Sequence, residues 1–208
     1  MVNAILTEVS TLALPIVDAC HLDHARRAIL RPDELVPDRA GKLRRLPRFF
    51  YEVESWQMAL ETPLTEHFEL WEFMGVDVRE AQPMRIFPRY VPCAVTLLAV
   101  HLELLRQSLG TFIHIAANGG YRSPAHNLTD HASTHCWGTA ANIYRIGDDV
   151  LDNEEKIDRY TRLVNRCLIS AWVRPFGHNQ GQADDHLHID IGYVLVTPRA
   201  ADSDRGSA

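Results

Sequence analysis

The sequence predicts an α+β domain: a small, mainly antiparallel sheet with helices packed on one side, preceded by an N-terminal helical extension. Three observations lead there. Apolar residues recur at helical steps in 95–109 and again in 152–171, and short β-branched or alternating runs occupy 111–116, 139–144 and 186–196. Between and beside these elements lie two polar, histidine-bearing stretches, 119–146 and 184–190.

With 208 residues, 46% hydrophobic and 23% charged, the chain is long enough to bury a full core. The net charge of −6 is modest, and basic residues are scattered except between Lys42 and Arg48, so nucleic acid is not expected as a partner. Cys20, Cys93, Cys136 and Cys167 lie far apart in apolar surroundings, which suits reduced core thiols better than a disulfide framework. Glu8 and Asp18 interrupt the first apolar run and no basic segment precedes it. Neither a signal peptide nor a membrane span is therefore expected, leaving a cytoplasmic protein or one released without a classical signal.

In chain order, residues 4–29 hold two apolar stretches separated by Pro15, read as two short helices. Pro32, Pro37 and Pro47 with the basic cluster indicate a loop or an arm over 31–48. The compact domain is expected to start near residue 62, dividing the chain into an extension (1–62), a domain (63–197) and a frayed polar tail (198–208). Val95, Leu98, Leu102, Leu105 and Leu109 mark a helix that Gly110 ends. Thr111 to Ala116 reads as a buried strand delivering the chain to Asn118-Gly119-Gly120, a turn in which glycine permits unusual backbone angles. Asp152 with Glu155 resembles a capping box ahead of a second amphipathic helix, Trp172 to Phe176 reads as a short strand, and His186 to Val196 as a longer one.

Most of the eleven histidines, including His21, His24, His67 and His101, show no partner pattern. His135 differs because it sits in a Gly-, Ser- and Thr-rich loop just before a strand, and His186, His188 and Asp190 alternate so that a strand would point them the same way. That geometry suits one cation, and it also occurs in ordinary strands. Asp185 and Asp184 stand just ahead of this run, where a solvated acidic loop end is the plain alternative.

The order G-Y-R-S-P-A-H-N (120–127), S-T-H-C-W-G-T-A-A-N (133–142) and D-H-L-H-I-D (185–190) resembles the zinc D-alanyl-D-alanine carboxypeptidase family. That family includes vancomycin-resistance D,D-peptidases and phage cell-wall endopeptidases, and shares its fold with the hedgehog signalling domain. The likeness spans about 63–195, beginning at L-T-E-H-F-E-L-W-E-F (64–73). It implies a sheet-borne zinc site with His135 and His188 as ligands and the third ligand, an aspartate in the family, at Asn142. It further implies that Asp185 activates water, that Arg122 and His186 stabilise charge on oxygen, and that Ser133 and Tyr121 bind substrate, with Asp190 orienting an imidazole. The expected partner is a peptidoglycan peptide or another D-Ala-D-Ala-containing substrate, and the expected activity is zinc-dependent cleavage next to D-alanine. Because the amide of Asn142 lacks a carboxylate's charge, a catalytically silent binding module of the same fold is the alternative.

Overall fold

The computed structural model describes residues 14–127, 131–177 and 185–199. The N-terminal part contains β1 (Ile16–Asp18), α1 (His24–Leu30), β2 (Leu35–Pro37), β3 (Leu43–Arg45), β4 (Phe49–Glu52) and α2 (Trp56–Leu60). There follow α3 (Gln82–Ile86), β5 (Tyr90–Pro92), α4 (Val95–Leu109), β6 (Ile113–Ile115), β7 (Ala140–Ile146), β8 (Asp149–Val150), α5 (Glu154–Cys167), β9 (Trp172–Val173) and β10 (Leu187–Asp190). These make the expected α+β arrangement with three small antiparallel sheets.

The largest sheet has the order β6-β7-β10-β9, with β8 pairing β7, and it is the one that carries Asn142 and His188. In β10, Leu187 and Ile189 are fully buried in the main core, so the period of two turns His188 and Asp190 to the opposite face. The β7 pairing places His188 opposite Asn142 and Asp190 opposite Ala140. A register slip of one residue would send both polar side chains into the apolar layer, which is why this pairing is fixed.

Helix α4 packs the stripe Val95, Leu98, Leu102 and Leu105 into that core and ends at Gly110, in the left-handed region at φ 64°. Burying each such leucine is worth about 2 kcal/mol. Helix α5 adds Ile157, Tyr160 and Val164. Its N-cap is Asn153, whose side chain accepts from the Lys156 amide, so the capping box expected from Asp152 and Glu155 does not form. Asn153 has the extended backbone a cap requires, and the helix begins at Glu154 directly after it.

Other local expectations are corrected. Beyond Pro15 the chain forms a strand, then a 3-10 turn and one short helix, in place of the helix expected there; the earlier apolar stretch lies largely outside the described residues. Residues 16–18 become β1 because β4 offers them a ladder, and tertiary pairing overrides a weak helical pattern. The strand expected over 186–196 stops at Asp190, two residues before Gly192 turns at φ 82°. Cys167 is exposed, unlike the buried Cys93 and Cys136, and all four cysteines are free thiols.

The core runs continuously across residue 62: Ala19, Leu30, Phe50 and Val53 join Leu98 and Leu102 in one cluster. The proline-rich arm is a β2–β3 hairpin. It encloses a second small cluster in which Val36 and Leu46 pack with Ala132, Cys136 and Trp137. No helix among the described residues is long and apolar enough to cross a membrane.

Candidate functional site

His135 lies in a 3-10 turn, Thr134–Trp137, closed by Gly138 in the left-handed region. Its ring is buried and its Nδ1 sits 2.7 Å from the Gly120 carbonyl oxygen. A carbonyl only accepts, so Nδ1 carries the proton and Nε2 keeps its lone pair. The ring of His188 lies 5.2 Å away, edge-on. Its Nε2 is 3.2 Å from Asp190 Oδ2 and its Nδ1 is 2.9 Å from Asn142 Oδ1. Each imidazole thus has one nitrogen engaged by an oxygen on its outer side, the arrangement that orients metal-ligating histidines.

Burial holds both imidazoles below the usual histidine range. For His135 the nearby Arg122 and His188 add to the effect, while for His188 the hydrogen bond it donates to Asp190 opposes it without reversing it. Both rings are therefore neutral at physiological pH, the form that binds a metal. Two donors on one tetrahedral cation, with bonds of about 2.0–2.1 Å, lie about 3.3 Å apart. The 2.9 Å between His188 Nδ1 and Asn142 Oδ1 is a few tenths shorter, a gap that small side-chain rotations close. His188 and Asn142 consequently suit a divalent cation in donor type and spacing, with the His135 ring beside them, and the set departs from the usual one in charge, because the amide contributes none.

His186 is half-buried, with Nδ1 2.7 Å from Asp185 Oδ1 and Nε2 3.0 Å from an Arg174 guanidinium nitrogen. Burial lowers its pKa despite the Asp185 hydrogen bond. Asp185 itself is exposed at the near end of β10, and Asp184 lies outside the described residues. Arg122 donates from Nε to the Asn118 carbonyl at 2.9 Å and so is steered by backbone. Burial, assisted by Arg79, brings it down to about 10, which leaves it cationic at neutral pH. Ser133 begins the turn that carries His135. Tyr121 stands apart: it is 1% exposed, part of the main core, and its hydroxyl has no hydrogen-bond partner among the described residues.

The loop that presents Arg122 is tied down by Glu80, a buried carboxylate accepting from the Ser123 amide at 3.0 Å and the Ser123 hydroxyl at 2.5 Å. From the other side the β2–β3 arm holds the His135 segment. The Pro37 carbonyl accepts from the Ala132 amide at 2.8 Å, and the Arg45 carbonyl accepts from Trp137 Nε1 at 3.0 Å. Tyr193 completes the clamp, donating to the Ala132 carbonyl beneath the Arg44 guanidinium.

Sequence reasoning missed the Gly120 carbonyl, Arg174 and this arm, all of which act through backbone or long-range contacts. It also assigned no partner to His67. His67 meets Glu103 at 2.7 Å, and with Glu66 these form the one group among the described residues in which three His, Cys, Asp or Glu ligand atoms lie within 4.8 Å of one another. That group could hold a metal ion. Its geometry has another occupation, since Glu103 also accepts from the Thr65 hydroxyl, the His67 amide and Gln107. Around His135 and His188 no such all-ionisable triplet arises among the described residues.

Compared with protein-family models, with curated proteins and with solved structures, the chain matches none.

Proposed function

We propose that this protein is a zinc-dependent peptidase that cleaves a peptide bond next to D-alanine in peptidoglycan or its precursors. One observation carries the reading: two neutral, buried imidazoles lie edge to face, each oriented from behind, with an amide oxygen 2.9 Å from one of them. His135 Nε2, His188 Nδ1 and Asn142 Oδ1 would hold the ion. Bound zinc supplies Lewis-acid polarisation of a carbonyl and acidifies water.

The chain's own residues supply the remaining steps. Asp185, exposed and in contact with His186, takes a proton from water and returns it to the leaving amine. His186, giving its Nδ1 proton to Asp185 and taking Arg174 at Nε2, orients the carboxylate that handles the water proton. Arg122, cationic and fixed on Asn118, offers its remaining N–H groups to carbonyl or carboxylate oxygen. The D-alanine specificity rests on the resemblance of 120–127, 133–142 and 185–190 to the zinc D,D-peptidases.

The test is D-alanine release from a D-alanyl-D-alanine-terminated peptide by zinc-reconstituted protein, with Asp185→Ala alongside. Zinc-dependent release that disappears in the variant is the expected result. Absence of release from both the parent and Asn142→Asp overturns the peptidase reading. Asn142 favours a second reading, a silent binding module, since an uncharged ligand neutralises none of the ion's charge. Peptide binding without turnover, unchanged by Asp185→Ala, is its signature.

A further inference from the structure

We propose that Asn142 keeps this site fully hydrogen-bonded both with and without a metal ion, by turning its side-chain amide over, so that folding does not depend on metal. The metal-bound half of this proposal rests on the site reading above; the metal-free half does not.

His188 faces an acceptor on each side, Asn142 Oδ1 at 2.9 Å and Asp190 Oδ2 at 3.2 Å. A neutral imidazole has one N–H, and an ionised carboxylate can only accept, so Asp190 takes that proton on Nε2. Nδ1 then presents a lone pair to the lone pairs of Asn142 Oδ1. All three side chains are nearly inaccessible, at 9%, 6% and 8% exposure for His188, Asn142 and Asp190, so solvent is a poor substitute partner. The β7–β10 ladder sets His188 opposite Asn142, which keeps the two side chains neighbours.

Two arrangements remove the conflict. A cation between Nδ1 and Oδ1 uses both lone pairs. Alternatively, the amide rotates by half a turn, and Nδ2–H donates to Nδ1, giving a relay in which Asn142 donates to His188 and His188 donates to Asp190. An ionised aspartate at position 142 carries no donor, so without a cation it must take up a proton, on itself or on His188, to remove the conflict. The amide at this position therefore exchanges affinity for a site that is satisfied in both states.

The experiment compares parent and Asn142→Asp after exhaustive chelation, by thermal melting, and then after adding zinc. In chelator the aspartate variant is expected to melt about 3–8 °C lower than the parent, and zinc is expected to raise it by more than it raises the parent. An aspartate variant as stable as the parent in chelator overturns the proposal. Should that variant fail to fold, the parent decides alone. Its ¹⁵N-labelled Asn142 side-chain amide is expected to show one exchange-protected proton in chelator, and freely exchanging protons overturn the relay. Because the chelator comparison involves no metal, it can fail while the peptidase reading stands; zinc that binds neither protein defeats the metal-site reading and leaves the relay to be judged on the chelator data.

Discussion

Gly120 offers its carbonyl to His135 Nδ1 at 2.7 Å from a position where no side chain fits: a Cβ there would lie 2.3 Å from the Phe73 carbonyl oxygen. The Tyr121 amide donates to that same Phe73 carbonyl at 2.8 Å, so backbone packs directly on backbone behind the histidine. Gly119 is equally confined, its Cβ position lying 2.6 Å from the Ala116 carbonyl. The left-handed residue of this turn is Asn118, at φ 57°, and the two glycines are needed for closeness of approach.

Gly120→Ala should accordingly destabilise the fold by about 1–3 kcal/mol, since the neighbour is backbone and cannot step aside. Urea unfolding measures the loss. The variant should also release His135 from its orientation and weaken metal binding, which a chelator competition reads. Unchanged stability would show that the 119–120 backbone has room that its packing denies.

The arm makes a second demand. Leu46 is 1% exposed in the cluster that seats Cys136 and Trp137, the two residues that follow His135 in its turn. Leu46→Ala should cost about 2–4 kcal/mol and, being remote from the ligands, should lower metal affinity only through loss of that seat. Melting and zinc titration on the same sample separate the two effects.

How much of this could be read from sequence follows the range of the interactions. Helix α4 and its Gly110 stop rest on local periodicity, and they stand where Val95 to Leu109 placed them. The alternation His186, His188, Asp190 pointed to one face, and β10 puts His188 and Asp190 on it, with His186 just before the strand begins. Asn142 and His188 are 46 residues apart, and their meeting depends on a strand register that no local pattern encodes. His67 and Glu103, 36 apart, were invisible for the same reason. The role of the arm was illegible because a proline-rich basic stretch carries no record of which loop it covers, and its grip on Ala132 and Trp137 is through main-chain carbonyls that every residue possesses.

Asp190 has two bonds to lose: it takes His188 Nε2 at 3.2 Å, and it accepts the Gly192 amide at 2.9 Å where the chain turns away from β10. Asp190→Asn preserves shape and removes charge. An amide leaves the His188 tautomer less firmly set and its Nδ1 less basic, so zinc affinity should fall about 10- to 100-fold. Competition against a chromophoric chelator gives the ratio. A change under twofold would mean that Asp190 serves the turn and not the imidazole.

The buried histidines also fix the sign of the pH dependence. Burial depresses His126, His135 and His188 below their ordinary range. In the unfolded chain these rings take up protons near pH 6.5, whereas in the folded chain they stay neutral until lower pH. Between those points the unfolded state binds more protons, and stability falls as pH falls, by up to about 1.4 kcal/mol per pH unit for each such ring. The carboxylates of Asp18, Asp77 and Glu103 move the other way in origin but not in sign. Burial raises each of the last two, and hydrogen bonds from Arg79 and from His67, Thr65 and Gln107 respectively outweigh it; for Asp18 the Arg48 hydrogen bond is the largest influence. Their contribution is intact above the unfolded carboxylate range and is lost only below it. Metal-free protein should therefore lose stability in two stages, the first as pH falls below about 6.5 from histidine and the second below about pH 4.5 from carboxylates. Urea midpoints at pH 7.5, 5.5 and 4 resolve them, and His126→Gln, which lies outside the ligand set, should make the first stage shallower while leaving the second in place. A midpoint that is flat from pH 7.5 to 5.5 would mean that the imidazoles are not held neutral, and with it the case for ready metal ligands would fall.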